Sequence, residues 1–186
     1  MPEADIDLRA VAGAVSDAAD RALALWAGGQ TSVRQWEKLP GHPVCEADLE
    51  IDDMLRRSLS AIDPSAGWLS EETADTVHRL GLSRVWVVDP IDGTRDYLRG
   101  RTGWAVSVAL VEHGAVRIGI LAAPARNQLW LAQAGLRINC PGMTGISSPW
   151  KSPTASPCAW RWWRLMRRIW SPPSAGAMSG MSPPPP

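Results

Sequence analysis

The residues best suited to chemistry lie in the segment Asp89-Pro90-Ile91-Asp92-Gly93-Thr94. Its two carboxylates are three positions apart, and carboxylate oxygens are the ligands that hard divalent cations prefer. The N–H groups of Gly93 and Thr94 would open the next helix, where a phosphate is favoured. A cation beside a phosphate indicates phosphoryl chemistry. The alternative is that Asp89 and Asp92 only cap a helix.

The elements around this segment must hold it rigidly. The apolar run 85–88 predicts a buried strand that ends at Asp89, because Pro90 cannot continue a central strand. Apolar residues at helical spacing predict two upstream helices, within 5–26 and 38–62. Alternating or continuous apolar runs predict a meander of three strands, within 104–111, 116–122 and 128–132. Together these elements predict an α/β fold in which the two helices cover a sheet.

A second acidic motif, Ser70-Glu71-Glu72, lies upstream. Combined with Asp-Pro-Ile-Asp-Gly-Thr, it resembles the inositol monophosphatase family of magnesium-dependent, lithium-sensitive phosphatases. The resemblance covers about residues 5–135. It implies a layered α-β-α sandwich of the inositol monophosphatase and sugar phosphatase type. Residues 1–134 would form its N-terminal metal- and phosphate-binding domain.

The resemblance also implies roles for individual residues. Glu71, Asp89 and the Ile91 carbonyl would hold one Mg²⁺ ion, and Asp89 with Asp92 would hold a second. A later family Asp should complete the second site, but the chain has no aspartate after Asp96. Members of the family use two or three Mg²⁺ ions and are inhibited by Li⁺.

The remaining site residues surround the attacking water and the phosphate. By resemblance, Asp48 and Thr94 would orient the water, with Glu71 as the third catalytic residue, while Asp92, Gly93 and Thr94 would bind the phosphate. Cys45 stands where the family usually has Thr, so the hydroxyl of that position is lost. Read without the resemblance, Asp48 is a helix-start acid favoured by the helix dipole.

Substrate choice follows from the residues after the threonine. The pair Arg95-Asp96 is more similar to the 3′(2′),5′-bisphosphate nucleotidase branch, which predicts adenosine 3′,5′-bisphosphate as substrate. An inositol 1-phosphate or another sugar phosphate is the alternative. The expected partner is a small phosphate monoester rather than nucleic acid or membrane, and a homodimer is compatible with the family.

Composition divides the chain in two. The net charge of the 186 residues is zero, but all 19 acidic residues precede residue 135, leaving a tail that carries only basic charge. Three scattered cysteines do not indicate a disulfide framework or a zinc site, and no signal peptide or membrane span is recognisable. We therefore expect a cytoplasmic protein.

The tail 135–186 is rich in Pro, Trp and Arg and lacks periodicity. It could lie on a membrane surface, bind nucleic acid, or form a disordered extension, and a non-enzymatic binding module is the alternative function.

The genetic code suggests a fourth explanation. Shifted back by one nucleotide, with suitable third bases, the segment 177–183 can encode His-Glu-Trp-Asp-Val-Ala, the Trp-Asp element that the family carries and this chain lacks. We therefore predict a frameshift between about Ala134 and Trp160, and a chain that is poorly soluble or inactive.

Overall fold

The structure is a computed structural model, and it describes residues 5–75 and 77–134, apart from the side chain of Leu39. The predictions for the tail 135–186 lie outside these residues. In chain order the helices and strands are α1 (Leu8–Trp26), β1 (Gln35–Leu39), β2 (His42–Cys45), α2 (Glu46–Ile62), β3 (Gly67–Ser70), β4 (Arg84–Asp92), α3 (Thr94–Leu98), β5 (Ala105–Glu112), β6 (Ala115–Ala123) and β7 (Gln128–Gln133). Single 3₁₀ turns lie at Ala27–Gly29, Val77–Gly81 and Pro124–Arg126.

Both predicted long helices are present, and each begins at a capping residue. The Asp7 carboxylate accepts a hydrogen bond of 2.9 Å from the Arg9 N–H at the start of α1. The N–H of Cys45 donates to Asp48 at the start of α2. None of the described helices is long and apolar enough to cross a membrane.

Five strands form the main sheet in the order β3-β4-β5-β6-β7. β3 runs parallel to β4, and all other neighbours are antiparallel. The predicted three-strand meander is therefore confirmed. The two-stranded hairpin of β1 and β2, which precedes α2, was not predicted.

The prediction that the strand ends at Asp89 was wrong. β4 continues through Pro90 to Asp92 although it lies between two other strands. The pairing of β4 with β5 is irregular between Asp89 and Asp92, and β3 pairs with β4 only as far as Val88. Pro90 has no N–H to donate to a neighbouring strand, and none is needed here, because Pro90 lies in a bulge beyond the end of β3.

One face of the sheet carries the core. α2 packs on β4, and α1 packs on β5 and β6. This confirms that the two upstream helices cover the sheet. The Tyr97 hydroxyl donates to the Ala22 carbonyl at 3.0 Å, and its ring packs edge-on against Trp104. This contact fixes α3, and with it the end of β4, against α1. Strand residues alone form the cluster on the opposite face: Ala105, Leu121, Ala123 and Trp130.

Candidate active site

The candidate site lies where β4 ends and α3 begins. Asp92 is buried and Asp89 is partly exposed, on either side of the bulge. Gly93 follows with φ +99°, a conformation that L side chains rarely adopt. A Cβ added at Gly93 would lie 2.7 Å from the Gly103 carbonyl oxygen, so this turn requires glycine for its backbone angle and for its space.

Asp48 reaches the same turn from α2. Its Oδ2 accepts the Cys45 N–H at 2.8 Å, and its Oδ1 lies 3.3 Å from the Thr94 hydroxyl. The Thr94 hydroxyl also lies 3.1 Å from the Ile91 carbonyl oxygen, so its single proton has two acceptors within reach. Burial raises the pKa of Asp48 to about 6, so the group is ionised above neutral pH. The structure thus brings together Asp48, Thr94 and the Ile91 carbonyl.

Cys45 is a buried free cysteine at the start of α2. Burial raises the pKa of its thiol to about 12, with the neighbouring Asp48 charge as the next cause. The thiol therefore stays protonated at physiological pH and does not act as a nucleophile.

Glu71 lies just past the end of β3, beside β4. Its N–H donates to the Val88 carbonyl at 3.2 Å, and its own carbonyl accepts a bond of 2.7 Å from the Lys38 ammonium. Lys38 also forms an ion pair with Glu72, whose side chain is almost completely buried. Lys38 therefore connects the β1–β2 hairpin to the Glu71 carbonyl and to the Glu72 carboxylate.

Asp89 on β4 lies next to Glu71, because Ser70 pairs with Val88 and the Glu71 N–H donates to the Val88 carbonyl. Burial raises the pKa of Asp89 well above its usual range, and the charges of Asp92, Glu71 and Asp48 raise it further. The sequence-predicted acids of β3 and β4 are thus close enough to interact strongly.

The acids at this turn are of the ligand type that a hard divalent cation prefers. The charges of Asp92, Glu71 and Asp48 raise the pKa of Asp89, and a cation would relieve this repulsion. Within residues 5–75 and 77–134, however, no group of three or more His, Cys, Asp or Glu side chains is arranged so that it could hold a metal ion. The donor chemistry therefore suits Mg²⁺, while the described side chains do not converge as a ligand set.

Two further groups near the site were missed in the sequence. Asp52 is buried one turn after Asp48 on α2 and accepts a hydrogen bond from the Ser70 hydroxyl. Its spacing of four residues from Asp48, on the apolar face of the helix, was the signal that could have revealed it. The Arg95 guanidinium donates to the Gly41 carbonyl and so attaches α3 to the tip of the hairpin.

Comparison with known protein families gives one match over most of the chain. Residues 4–159 match the model of the inositol monophosphatase family. A histidinol-phosphatase from Chlorobaculum parvum is 36% identical over 107 residues, which are 58% of this chain and 40% of that enzyme. The 3′(2′),5′-bisphosphate nucleotidase CysQ of Escherichia coli is 31% identical over 99 residues, covering 53% of this chain and 40% of that enzyme.

Solved structures show the same architecture. The extragenic suppressor protein suhB from Bartonella henselae superposes with a TM-score of 0.66 at 25% identity, covering 72% of this chain and 51% of that one. The chain therefore spans about half the length, or less, of the relatives it matches.

Proposed function

The chain belongs to the inositol monophosphatase family, and from that premise we propose that it is a Mg²⁺-dependent phosphomonoesterase whose site is built around Asp89. The observation that carries the proposal is the end of β4, where the Thr94 hydroxyl lies within hydrogen-bond distance of the Asp48 carboxylate and the Ile91 carbonyl oxygen. The charges of Asp92, Glu71 and Asp48 raise the pKa of Asp89 at the same place, and a cation would relieve this repulsion.

Glu71, Asp89, Asp92 and the Ile91 carbonyl are the groups that would hold Mg²⁺. When bound, the cation would activate a water and neutralise charge on the phosphoryl oxygens. The Ile91 carbonyl keeps a second lone pair for this role while it accepts the Thr94 hydroxyl.

Asp48 and Thr94 would position the attacking water. When the Thr94 hydroxyl donates to Asp48, the Thr94 oxygen presents its lone pairs outward and can accept a proton from water. Asp48 is ionised above its pKa of about 6, so it can accept the Thr94 proton at neutral pH.

Asp92, Gly93 and Thr94 would form the phosphate side of the site. Gly93 packs closely against the Gly103 carbonyl because it has no Cβ, and its positive φ turns the chain from β4 into α3. The phosphate would lie against the N–H groups at this turn.

For the substrate, we propose the 3′-phosphate of adenosine 3′,5′-bisphosphate, supported by the pair Arg95-Asp96 after the threonine. Histidinol phosphate is a second candidate, because the histidinol-phosphatase shares higher identity over a longer alignment than the nucleotidase does. Inositol 1-phosphate is the third candidate, which the family itself suggests.

A phosphate-release assay on these three substrates, with MgCl₂ or with EDTA, tests the proposal. We expect Mg²⁺-dependent release from the frame-restored protein, which Asp89→Asn abolishes, and little or none from this chain. Asp53→Asn is the matched control, because Asp53 lies exposed on α2 in an ion pair with Arg57. Equal release from Asp89→Asn and the control would refute the assignment.

We also propose that the frame-restored gene product is far more active than this chain. It would regain the later family Asp, and losing one carboxylate of a two-metal site should lower turnover by orders of magnitude. Both proteins should be compared in the same assay. Equal turnover would contradict the proposed role of the missing element.

The non-enzymatic alternative makes a different prediction. If the basic tail of residues 135–186 is a binding module, deleting it should abolish binding to single-stranded DNA or to anionic vesicles. Absence of binding by the full chain would exclude this alternative.

A further inference from the structure

Asp52 is a buried acid that the proposed chemistry does not use. It is 4% exposed on α2, and its carboxylate accepts the hydroxyl proton of Ser70, the last residue of β3. The Ser70 oxygen in turn accepts the N–H of Glu72 at 3.1 Å. A chain of two hydrogen bonds therefore connects α2 to the backbone just after Glu71.

The polar backbone groups around Glu71 are all held. The Glu71 N–H is bonded to the Val88 carbonyl at 3.2 Å, and the Glu71 carbonyl is bonded to Lys38 at 2.7 Å. The Ser70 hydroxyl holds the following N–H, that of Glu72. Of these three contacts, only the last depends on a hydroxyl that can rotate, since a serine Cβ–Oγ bond has several staggered positions.

We propose that Asp52 is a positioning residue for the Glu71 carboxylate. By accepting the Ser70 proton, Asp52 selects the orientation in which the Ser70 oxygen offers a lone pair to the Glu72 N–H. The backbone on both sides of Glu71 is thereby fixed beside the Val88–Asp89 segment of β4. This inference rests on the proposed cation site, because positioning matters only if Glu71 is a ligand.

A merely structural role makes a different prediction. If the Asp52–Ser70 contact only attached α2 to β3, its loss would lower the free energy of unfolding without changing cation affinity. A positioning role predicts weaker cation binding, because outer partners of ligands typically contribute about 10-fold or more to metal affinity.

The test is titration of the full chain with MnCl₂ by isothermal calorimetry. We expect Asp52→Ala to weaken Mn²⁺ binding about 10-fold. Asp52→Asn should stay close to wild type, because its amide oxygen can still accept the Ser70 proton. Asp53→Ala, the exposed neighbour, is the matched control and should bind as wild type does. Equal Mn²⁺ affinity for Asp52→Ala and Asp53→Ala would overturn the inference.

Amide hydrogen exchange provides a second measurement that does not depend on the cation. The Glu72 amide should exchange faster in Asp52→Ala than in Asp53→Ala, and unchanged exchange would also overturn the inference. Asp89→Asn separates the two proposals. If wild type and Asp89→Asn bind Mn²⁺ equally, the cation site itself fails. If Asp89→Asn weakens Mn²⁺ binding but Asp52→Ala and Asp53→Ala bind Mn²⁺ equally, the cation site stands and the positioning role fails.

Discussion

Asp48→Asn should stabilise the cation-free protein at neutral pH while abolishing its phosphatase activity. Asp48 is 1% exposed, and burial is the largest cause of its raised pKa. An asparagine has the same shape, so its oxygen can accept the Cys45 N–H and its amide can donate to the Thr94 oxygen. The substitution therefore removes the buried charge and preserves the contacts of the side chain.

The size of the effect follows from the pKa. The pKa of Asp48 is about 6 in the folded protein, against 3.8 for an ordinary aspartate, so the folded state binds the proton more tightly. The stability that this group contributes is fully present below about pH 3.8 and is lost as pH rises to about 6. A difference of about 2 pH units corresponds to about 3 kcal/mol.

Urea unfolding in EDTA from about pH 4 to pH 8 measures this contribution. The advantage of Asp48→Asn over wild type should grow by about 1.4 kcal/mol per pH unit between the two pKa values and be constant above pH 6. Asp53→Asn, an exposed change on the same helix, should show no such trend. A pH-independent difference between Asp48→Asn and wild type would refute the reasoning.

Three further predictions concern the fold and the gene. Gly93→Ala should lower the free energy of unfolding by about 2 kcal/mol or more, because a Cβ would meet the Gly103 carbonyl. Gly114→Ala, also at positive φ but with open space around it, should lower it by about 1 kcal/mol. Thermal unfolding of the two variants makes the comparison. Arg84→Met should destabilise the protein by about 3 kcal/mol, because it removes the ion-pair partner of two carboxylates, Asp63 and Glu112. Arg117 is half-exposed, so Arg117→Met should cost less than about 1 kcal/mol in the same assay. Sequencing the locus should show a frame interruption before about codon 160, and an uninterrupted frame in related genes that encodes the same Trp/Arg tail would contradict it.

Regular elements of the fold could be predicted because each has its own periodicity. Val11, Val15 and Ala18 mark α1 at helical spacing, and all three are fully buried. The continuous apolar run of β5 likewise predicted a buried strand, and six of its residues are buried. In each case the signal lies within the element itself.

Other features depend on partners distant in the chain. The β1–β2 hairpin has few apolar residues, and it is held by Lys38 and by the contact between Arg95 and Gly41. Pro90 stays inside β4 only because β3 is too short to pair with it. Neither the neighbour nor its length can be read from the sequence around Pro90, so local rules predicted an end to the strand there.

The residue types of the site could be predicted from the sequence, but the contacts that hold them in place could not. Asp89, Asp92 and Glu71 were predicted from their motifs, and their assignment as ligands remains a proposal. The acceptor for Ser70 could not be predicted in the same way, because Asp52 lies on another element and has no motif of its own. Such contacts are determined by how α2 packs against the sheet.

The buried acids also predict how cation binding should depend on pH. Burial raises the pKa of four carboxyl groups near this turn: Asp48, Asp52, Glu72 and Asp89. At low pH protons neutralise these groups and compete with a cation, whereas at high pH the groups are ionised and a cation relieves the repulsion among their charges. Mg²⁺ should therefore raise the melting temperature more at about pH 8 than at about pH 5, because stabilisation by a ligand grows with its affinity. Thermal unfolding with and without MgCl₂ at both pH values measures this. An equal Mg²⁺ effect at the two pH values would mean that the cation does not bind among these carboxyl groups.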